Sequence, residues 1–232
     1  MQGSSLIGAR ERAMAKRIFD LVTSGIGLIV LSPVMAFMAT WIKLDSPGPV
    51  FYRGVRGGRH NHPFRIFKFR TMVTDAERKG GHSTGNADPR ITRPGSFIRT
   101  HKMDEIPQLI NVFIGDMSIV GPRPQILSYT SAYSGEFLEI LDVRPGITDW
   151  ASIWNSNEGA VLAEAKDPDR AYDVLIHPTK MMLQLRYVRT RALRTDLRIV
   201  LCTLKRIVDP SYYPAELADV PPLAVDAARN LS

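Results

Sequence analysis

From Leu21 to Ile42 the chain runs through roughly 22 uncharged, mostly apolar residues, about the length that crosses a hydrocarbon core as a helix. The run is interrupted near its middle by Ser32-Pro33. A proline inside a helix has no amide proton to donate and clashes with the preceding turn, so it predicts a kink or break there. Ser32 can take up a carbonyl that the break would free. Basic residues flank both ends: Arg10, Arg12, Lys16 and Arg17 before the run, and Lys43, Arg53, Arg56 and Arg59 after it. Basic flanks tend to stay on the cytoplasmic side, so a straight span would translocate one unfavourable end. A helix that bends at Ser32-Pro33 and leaves by the face it entered keeps both ends inside, and this re-entrant form is expected over a straight span. A secretory signal fits less well, because the run is long and no small-residue cleavage site precedes Lys43 and Asp45.

Beyond the membrane segment the period of the pattern changes. Asp45-Ser46-Pro47-Gly48-Pro49 is a turn cluster. Val50 to Arg56 and Phe64 to Met72 are rich in β-branched and aromatic residues and predict a β-hairpin around the turn-prone stretch Gly57 to Pro63. Val73 to Gly95 is polar and predicts a short helix followed by a loop. A helix is expected to begin near Asp104, with Pro107 in its first turn, an apolar face of Ile106, Leu109, Ile110 and Phe113, and closure at Gly115-Asp116. Lys180 to Val208 is helical in period, with Leu193, Leu197, Val200, Leu204 and Val208 on one stripe and Arg191, Arg194, Arg198, Lys205 and Arg206 elsewhere. Such a helix either lies in a membrane interface or packs on a core, and the segment alone leaves both open. From Glu216 onward the pattern weakens, which predicts an irregular or flexible tail.

The expected fold class is α+β: a membrane helix broken at Ser-Pro, a small hairpin, and a mostly helical catalytic domain with interfacial amphipathic helices. The divisions are 1–17 basic segment, 18–44 re-entrant helix, 45–210 catalytic domain and 211–232 irregular tail. A net charge of +7 over 232 residues favours anionic partners. Cys202 is the only cysteine, so no intrachain disulfide forms and no cysteine-based zinc site exists. His60 and His62 sit in a Gly/Arg/Asn-rich turn and predict a solvated loop rather than a metal site. No Gly-Lys-Ser/Thr phosphate loop is present, and Asp167-Pro168-Asp169 fits a loop turn better than a nucleotide-metal motif.

The chemistry concentrates at Asp104-Glu105, between Arg99 and the loop Val120-Gly121-Pro122-Arg123-Pro124. A helix N-terminus would keep Asp104 ionised and attract phosphate. Adjacent carboxylates on a helix point in different directions, so one can attack phosphorus while the other holds a metal ion. Arginine forks match phosphate oxygens. A phosphoryl-transfer site beside a membrane segment points to a lipid phosphate as substrate.

Eight motifs, in order, resemble a known family. They are Lys16-Arg17-Ile18-Phe19-Asp20, Ser32-Pro33, Gly48-Pro49-Val50-Phe51, Phe67-Lys68-Phe69-Arg70-Thr71-Met72, Asp104-Glu105-Ile106-Pro107-Gln108-Leu109, Gly115-Asp116-Met117-Ser118, Val120-Gly121-Pro122-Arg123-Pro124 and Arg144-Pro145-Gly146-Ile147-Thr148. Together they resemble the bacterial sugar transferases of the monotopic polyprenyl-phosphate phosphoglycosyl transferase superfamily, here as a small catalytic version. The resemblance implies transfer of a phospho-sugar from a UDP-sugar to polyprenyl (undecaprenyl) phosphate at the cytoplasmic face of the bacterial inner membrane, with release of UMP. It implies that Asp104 is the nucleophile and that Glu105, with Asp104, holds Mg²⁺. Arg99, Arg123, Lys68 and Arg70 become phosphate contacts, and Ser32-Pro33 the break of a re-entrant helix. No nucleic-acid partner is expected, and a homodimer is compatible with this reading. The chain departs from the family pattern at Lys102, where a small hydroxyl residue is common, at Gly54 (often Gln) and at Asp149 (often Gly). Competing readings are a membrane-anchored basic scaffold, which would show none of this turnover, and a sugar-nucleotide hydrolase using the same site.

Overall fold

The computed structural model describes residues 2–76, 88–224 and 227, and side chains from Glu11 onward. The first helix, α1 (Gln2–Asp45), contains Pro33 without interruption. The break expected there is repaired locally. Pro33 cannot donate to the carbonyl four residues back, that of Ile29, and the Ser32 hydroxyl donates to this carbonyl instead at 2.8 Å. Residues Glu11–Asp45 have a mean hydropathy of 2.0 in their most apolar window, of which 11% is buried, so α1 is long and apolar enough to cross a membrane and is no core helix.

Both ends of the apolar run dock on the same body. Near the start, Arg17 donates to the carbonyls of Val112 and Phe113 at 2.7 and 2.8 Å, and the Asp20 carboxylate accepts from the Ser118 hydroxyl and the Ile119 amide at 2.9 and 3.0 Å. Near the finish, Met38 and Ile42 are buried with Phe69 and Ile98. Between them Ile29, Val30 and Phe37 are 75%, 66% and 62% exposed, so the apolar middle is left for another solvent.

After α1 come β1 (Phe51–Tyr52), β2 (Val55–Gly57), β3 (Pro63–Arg65) and β4 (Lys68–Phe69). The pairs Phe51↔Phe69 and Gly57↔Pro63 share one register, so these strands are a single antiparallel hairpin opened briefly at Arg53-Gly54, as the pattern predicted. The polar stretch after it, 77–87, lies outside the described residues.

A helix the pattern did not predict follows, α2 (Arg93–Thr100). Thr92 caps it by accepting from the Gly95 amide at 3.1 Å, and Pro94 occupies its first turn. Gly95 meets the hairpin end so closely that an added Cβ would lie 2.0 Å from the Thr71 carbonyl oxygen. Only glycine allows that approach.

The next helix, α3 (Gln108–Ile114), starts later than expected. Residues 104–107 form tight turns in which amides reach back three residues, as Gln108 to Glu105 at 2.9 Å and Leu109 to Ile106 at 3.1 Å. Gly115 closes α3 in the left-handed region at φ 103°, as expected. The strands β5 (Ser118–Val120) and β6 (Gly146–Thr148) form a parallel pair. They flank the short α4 (Leu127–Thr130) and a 3₁₀ turn, Gly135–Asp142.

The rest is helical: α5 (Trp150–Trp154), α6 (Glu158–Ala163), α7 (Pro168–Ala171), a π-helical turn at Tyr172–Ile176, α8 (His177–Thr190) and α9 (Leu193–Val208). The periodic stretch expected as one element divides near Arg191, and its halves differ. Helix α8 buries Met181, Leu183, Leu185, Tyr187 and Val188 in the body. Helix α9 buries Asp196, Ile199 and Cys202, and exposes Leu193, Leu197, Leu201, Leu204 and Val208 as a stripe. A buried ion network locks α9 to α1: Lys16 bridges Asp20 at 3.3 Å and Asp196 at 3.0 Å, and Tyr187 donates to Asp196 at 2.8 Å.

The tail is irregular in backbone yet packs on the core at Leu217, Val220 and Leu223. Leu217 is fully buried, the Trp154 indole donates to Pro221 at 2.9 Å, and Arg198 pairs with Glu216 at 2.6 Å. Its weak periodicity reflects packing by single anchors, and apart from the turn Ala215–Leu217 the backbone is irregular, as expected.

Candidate active site

Four elements converge on Asp104 and Glu105. The turn carrying them is tied to the hairpin, where the Phe69 amide donates to the Asp104 carbonyl at 2.9 Å. This register carries Lys68 to the pair: its ammonium lies 2.7 Å from Glu105 Oε1 and 3.9 Å from Asp104 Oδ2. Arg123 arrives from the far side and pairs with the same Glu105 oxygen. It is aimed by the β5–β6 pair. The Gly146 amide donates to the Pro122 carbonyl at 2.9 Å, and an added Cβ on Gly146 would lie 2.1 Å from the Gly121 nitrogen. Asp149 caps α5 through Ser152 and also accepts from the Arg123 amide at 3.3 Å, so this departure from the family pattern steadies the Arg123 loop. Arg99, in the last turn of α2, donates to the Thr71 hydroxyl at 3.1 Å and acts electrostatically on Asp104.

Arg70 does not join them. Its guanidinium donates to the carbonyls of Ser46, Pro47 and Ile42 at 2.8, 2.5 and 3.3 Å, binding the exit of α1 to the hairpin. The expected grouping of Arg70 with the phosphate contacts thus does not appear; an alternating strand sends Lys68 and Arg70 to one face, but the strand ends at Phe69.

The two carboxylates are unequal. Burial and the neighbouring Glu105 charge push the Asp104 carboxyl above the ordinary aspartate range, against the pull of Lys68, Arg123 and Arg99. Asp104 precedes α3 by four residues, so it does not stand at the helix N-terminus expected for it, and its surroundings are set by burial and by the neighbouring charges. Burial acts on Glu105 in the same sense, but Arg123 and Lys68 together overcome it and hold that carboxyl well below the usual range. Glu105 in turn raises Arg123. Among the described residues no hydrogen bond reaches the Asp104 carboxylate. One carboxylate is clamped and the other is free to react.

Sequence reasoning missed Asp88 and Arg90. The Arg90 guanidinium forks onto Asp88 at 2.6–3.1 Å, which lowers Asp88 to about 2, and the pair sits beside Arg99. The signal was Asp88-Pro89-Arg90 directly before a Thr-x-Pro helix start. Among the described residues no three His, Cys, Asp or Glu side chains gather as a metal cage. Two adjacent carboxylates, one without protein donors, still fit Mg²⁺, which keeps several waters and takes one or two carboxylates together with substrate phosphate.

Against this geometry the comparisons are specific. The sequence profile described as bacterial sugar transferase matches residues 11–210. The chain is similar to an undecaprenyl-phosphate glucose phosphotransferase of Komagataeibacter xylinus, at 38% identity over 83% of this chain and 36% of the relative. It is similar to a UDP-N-acetylgalactosamine-undecaprenyl-phosphate N-acetylgalactosaminephosphotransferase of Aeromonas hydrophila, at 35% identity over 89% of this chain and 47% of the relative. A UDP-glucose:undecaprenyl-phosphate glucose-1-phosphate transferase of Caulobacter vibrioides is 34% identical over 84% of this chain and 70% of its own length. The chain thus spans 36% and 47% of the length of the first two relatives.

Proposed function

Because the chain belongs to the bacterial sugar transferase family, we propose that it transfers a sugar 1-phosphate from a UDP-sugar to undecaprenyl phosphate, with release of UMP. The observation that carries this reading is the asymmetric pair: Asp104 without a hydrogen-bond partner among the described residues, next to a Glu105 clamped by Lys68 and Arg123. An Asp104 oxygen attacks the phosphorus bearing the sugar, the phosphoanhydride bond breaks, and UMP leaves with the bonding electrons. An oxygen of undecaprenyl phosphate then attacks the same phosphorus, and the Asp104 carboxylate leaves. Lys68, Arg123 and Arg99 offer donors to the phosphate oxygens as charge moves between them. Mg²⁺, held by Asp104 and Glu105, would neutralise phosphate charge.

The reaction sits at a membrane. Docking of both ends of α1 on one body, with an exposed apolar middle, supports a re-entrant helix whose flanks share the cytoplasmic face of the inner membrane. The exposed stripe of α9, with Phe113 and Ile114 of α3 also exposed, supports contact with the same lipid surface.

Intact-protein mass spectrometry after mixing enzyme with each of a set of UDP-sugars, without lipid, tests the mechanism. The productive sugar is expected to leave a phospho-sugar adduct that maps to Asp104 and disappears when undecaprenyl phosphate is added. Asp104→Asn is expected to lose both adduct and turnover. Full turnover by that variant refutes the assignment, and repeated UMP release without the lipid, beyond one UMP per enzyme, would make the enzyme a hydrolase.

A further inference from the structure

Lys102 and Arg206 form a second cationic site that the transfer chemistry above does not use. They meet at one residue. The Lys102 ammonium donates to the Ser156 carbonyl at 3.0 Å, and the Arg206 Nε donates to the Ser156 hydroxyl at 3.0 Å. Arg206 Nη1 donates to the Tyr212 carbonyl at 2.7 Å. Every one of these acceptors is neutral. Among the described residues no carboxylate lies within 4.0 Å of either cation, and Asp209 feels Arg206 only at longer range. Burial and the Arg206 charge both lower Lys102. Two like charges are held together with donors to spare and no counter-ion.

The backbone commits to this arrangement. Lys102 follows α2 at φ 53°, in the left-handed region that disfavours a residue with a Cβ, and the Met103 amide closes the turn on the Ile98 carbonyl at 2.9 Å. Lys102 also lies two residues before Asp104, a Cα separation of at most about 7 Å. Arg206 is at the C-terminal end of α9, where Leu204, Ile207 and Val208 are exposed. Arg206 lies four and seven residues after the buried Cys202 and Ile199, so it leaves α9 on the face turned to the body and meets Lys102 there at Ser156.

We propose that Lys102 and Arg206, bridged by Ser156, form the site that receives the phosphate of the lipid acceptor and holds it for the second transfer. This rests on the phosphoglycosyl transfer reading. Lys68, Arg123 and Arg99 surround the carboxylates and serve the donor; Lys102 and Arg206 are a further pair of cations on neutral acceptors, and Lys102 adjoins the nucleophile's turn in sequence. A phosphate monoester supplies the counter-charge, and its oxygens accept from the donors that Ser156 and Tyr212 leave over. Lys102, a departure from the family's small hydroxyl, gives this chain its own contact to the acceptor.

The test is steady-state kinetics of Lys102→Gln, Arg206→Gln, the double variant and Arg206→Lys in neutral phosphatidylcholine nanodiscs, with melting temperature as a folding control. Each single Gln variant is expected to raise KM for undecaprenyl phosphate about tenfold, the loss of one charge-assisted hydrogen bond. KM for the UDP-sugar is expected to stay within about twofold of wild type, since the donor contacts are elsewhere. Arg206→Lys should recover most of the acceptor affinity. Inorganic phosphate should compete with the lipid in wild type and lose potency in the variants. An unchanged acceptor KM, a shift in the donor KM instead, or an effect seen only when phosphatidylglycerol is added overturns the proposal, the last outcome marking a lipid-headgroup tether. If the wild type shows no acceptor-dependent UMP release, the reaction itself fails, and direct binding of undecaprenyl phosphate then decides the site: equal binding by wild type and double variant overturns it, and loss in the double variant supports it.

Discussion

Replacing Gly95 by alanine sets two effects of opposite sign against each other. In a helix interior alanine is favoured over glycine by about 0.8–1.0 kcal/mol, so propensity alone stabilises the variant. The structure opposes this. The new Cβ would lie 2.0 Å from the Thr71 carbonyl oxygen and 2.6 Å from its carbonyl carbon, where ordinary contact begins near 3.4 Å. Overpacking costs about 1–3 kcal/mol. The neighbour cannot give way freely, because the same Thr71 oxygen accepts from the Thr92 amide at 3.0 Å, a bond worth about 1 kcal/mol. The net expectation is destabilisation of about 1–2 kcal/mol, or a melting temperature lower by about 2–8 °C for a chain of this size. If α2 moves away instead, Arg99 leaves Thr71 and Asp104, and a displacement near 1 Å can cost about a hundredfold in rate. Thermal unfolding followed by tryptophan fluorescence, beside a UMP-release assay, reads both effects. Ser96→Ala, on the exposed face of α2, controls for propensity. A Gly95→Ala enzyme that melts higher than wild type at full activity would refute the close approach and, with it, this account of how Arg99 is placed.

The two carboxylates should respond to pH with opposite sign. Asp104 has a folded pKa above its ordinary 3.8, so its contribution to stability is complete below that value and is lost as pH rises through the raised one. Asp104→Asn should therefore be at least as stable as wild type at pH 7, with the advantage fading on acidification. Glu105 has a folded pKa below its ordinary 4.5, so its contribution is present above that value and is lost as pH falls. Glu105→Gln should lose about 1–3 kcal/mol at pH 7 and approach wild type in acid, and melts showing the same sign for both variants would contradict the unequal pair. On α9, Leu197 and Leu204 are 47% and 54% exposed, so changing both to Gln should cost the fold less than about 1 kcal/mol each while raising KM for undecaprenyl phosphate; collapse of the fold would mark them as core. Cysteines at Gly8 and Ser46 in a Cys202→Ser background should be equally protected from an impermeant thiol reagent in intact cells, and opposite labelling would establish a straight span.

What the sequence disclosed followed from how local each feature is. The apolar run, the hairpin and the closing Gly115 depend on residues within a few positions of one another, and each lies where the pattern put it. The Ser32 repair was also legible, because Pro33 and the carbonyl it leaves free are four residues apart. Lys68 and Arg123 could be named as cations near a carboxylate pair from their motifs. The shared Glu105 oxygen that joins them could not, since it needs the hairpin register and the β5–β6 pair at once.

The misreadings share a cause: a local rule was applied where a tertiary contact decides. A negative pair before an apolar period reads as a helix start, yet the turn at 104–107 is set by the Phe69 amide on the Asp104 carbonyl and places the carboxylates outside the helix and inside the body. Their electrostatics then follow burial and the neighbouring charges. Arg70 has the chemistry of a phosphate contact, but its position relative to α1 gives it carbonyls as partners. Lys16 and Arg17, read as topogenic flank charges, also clamp α1 to α3 and α9. In each case the residue type was informative about what the side chain can bind, and the fold chose which partner it met. That same division explains why Lys102 looked like a mere departure in sequence: only the meeting of α2 and α9 at Ser156 turns one unusual lysine into half of a cation pair.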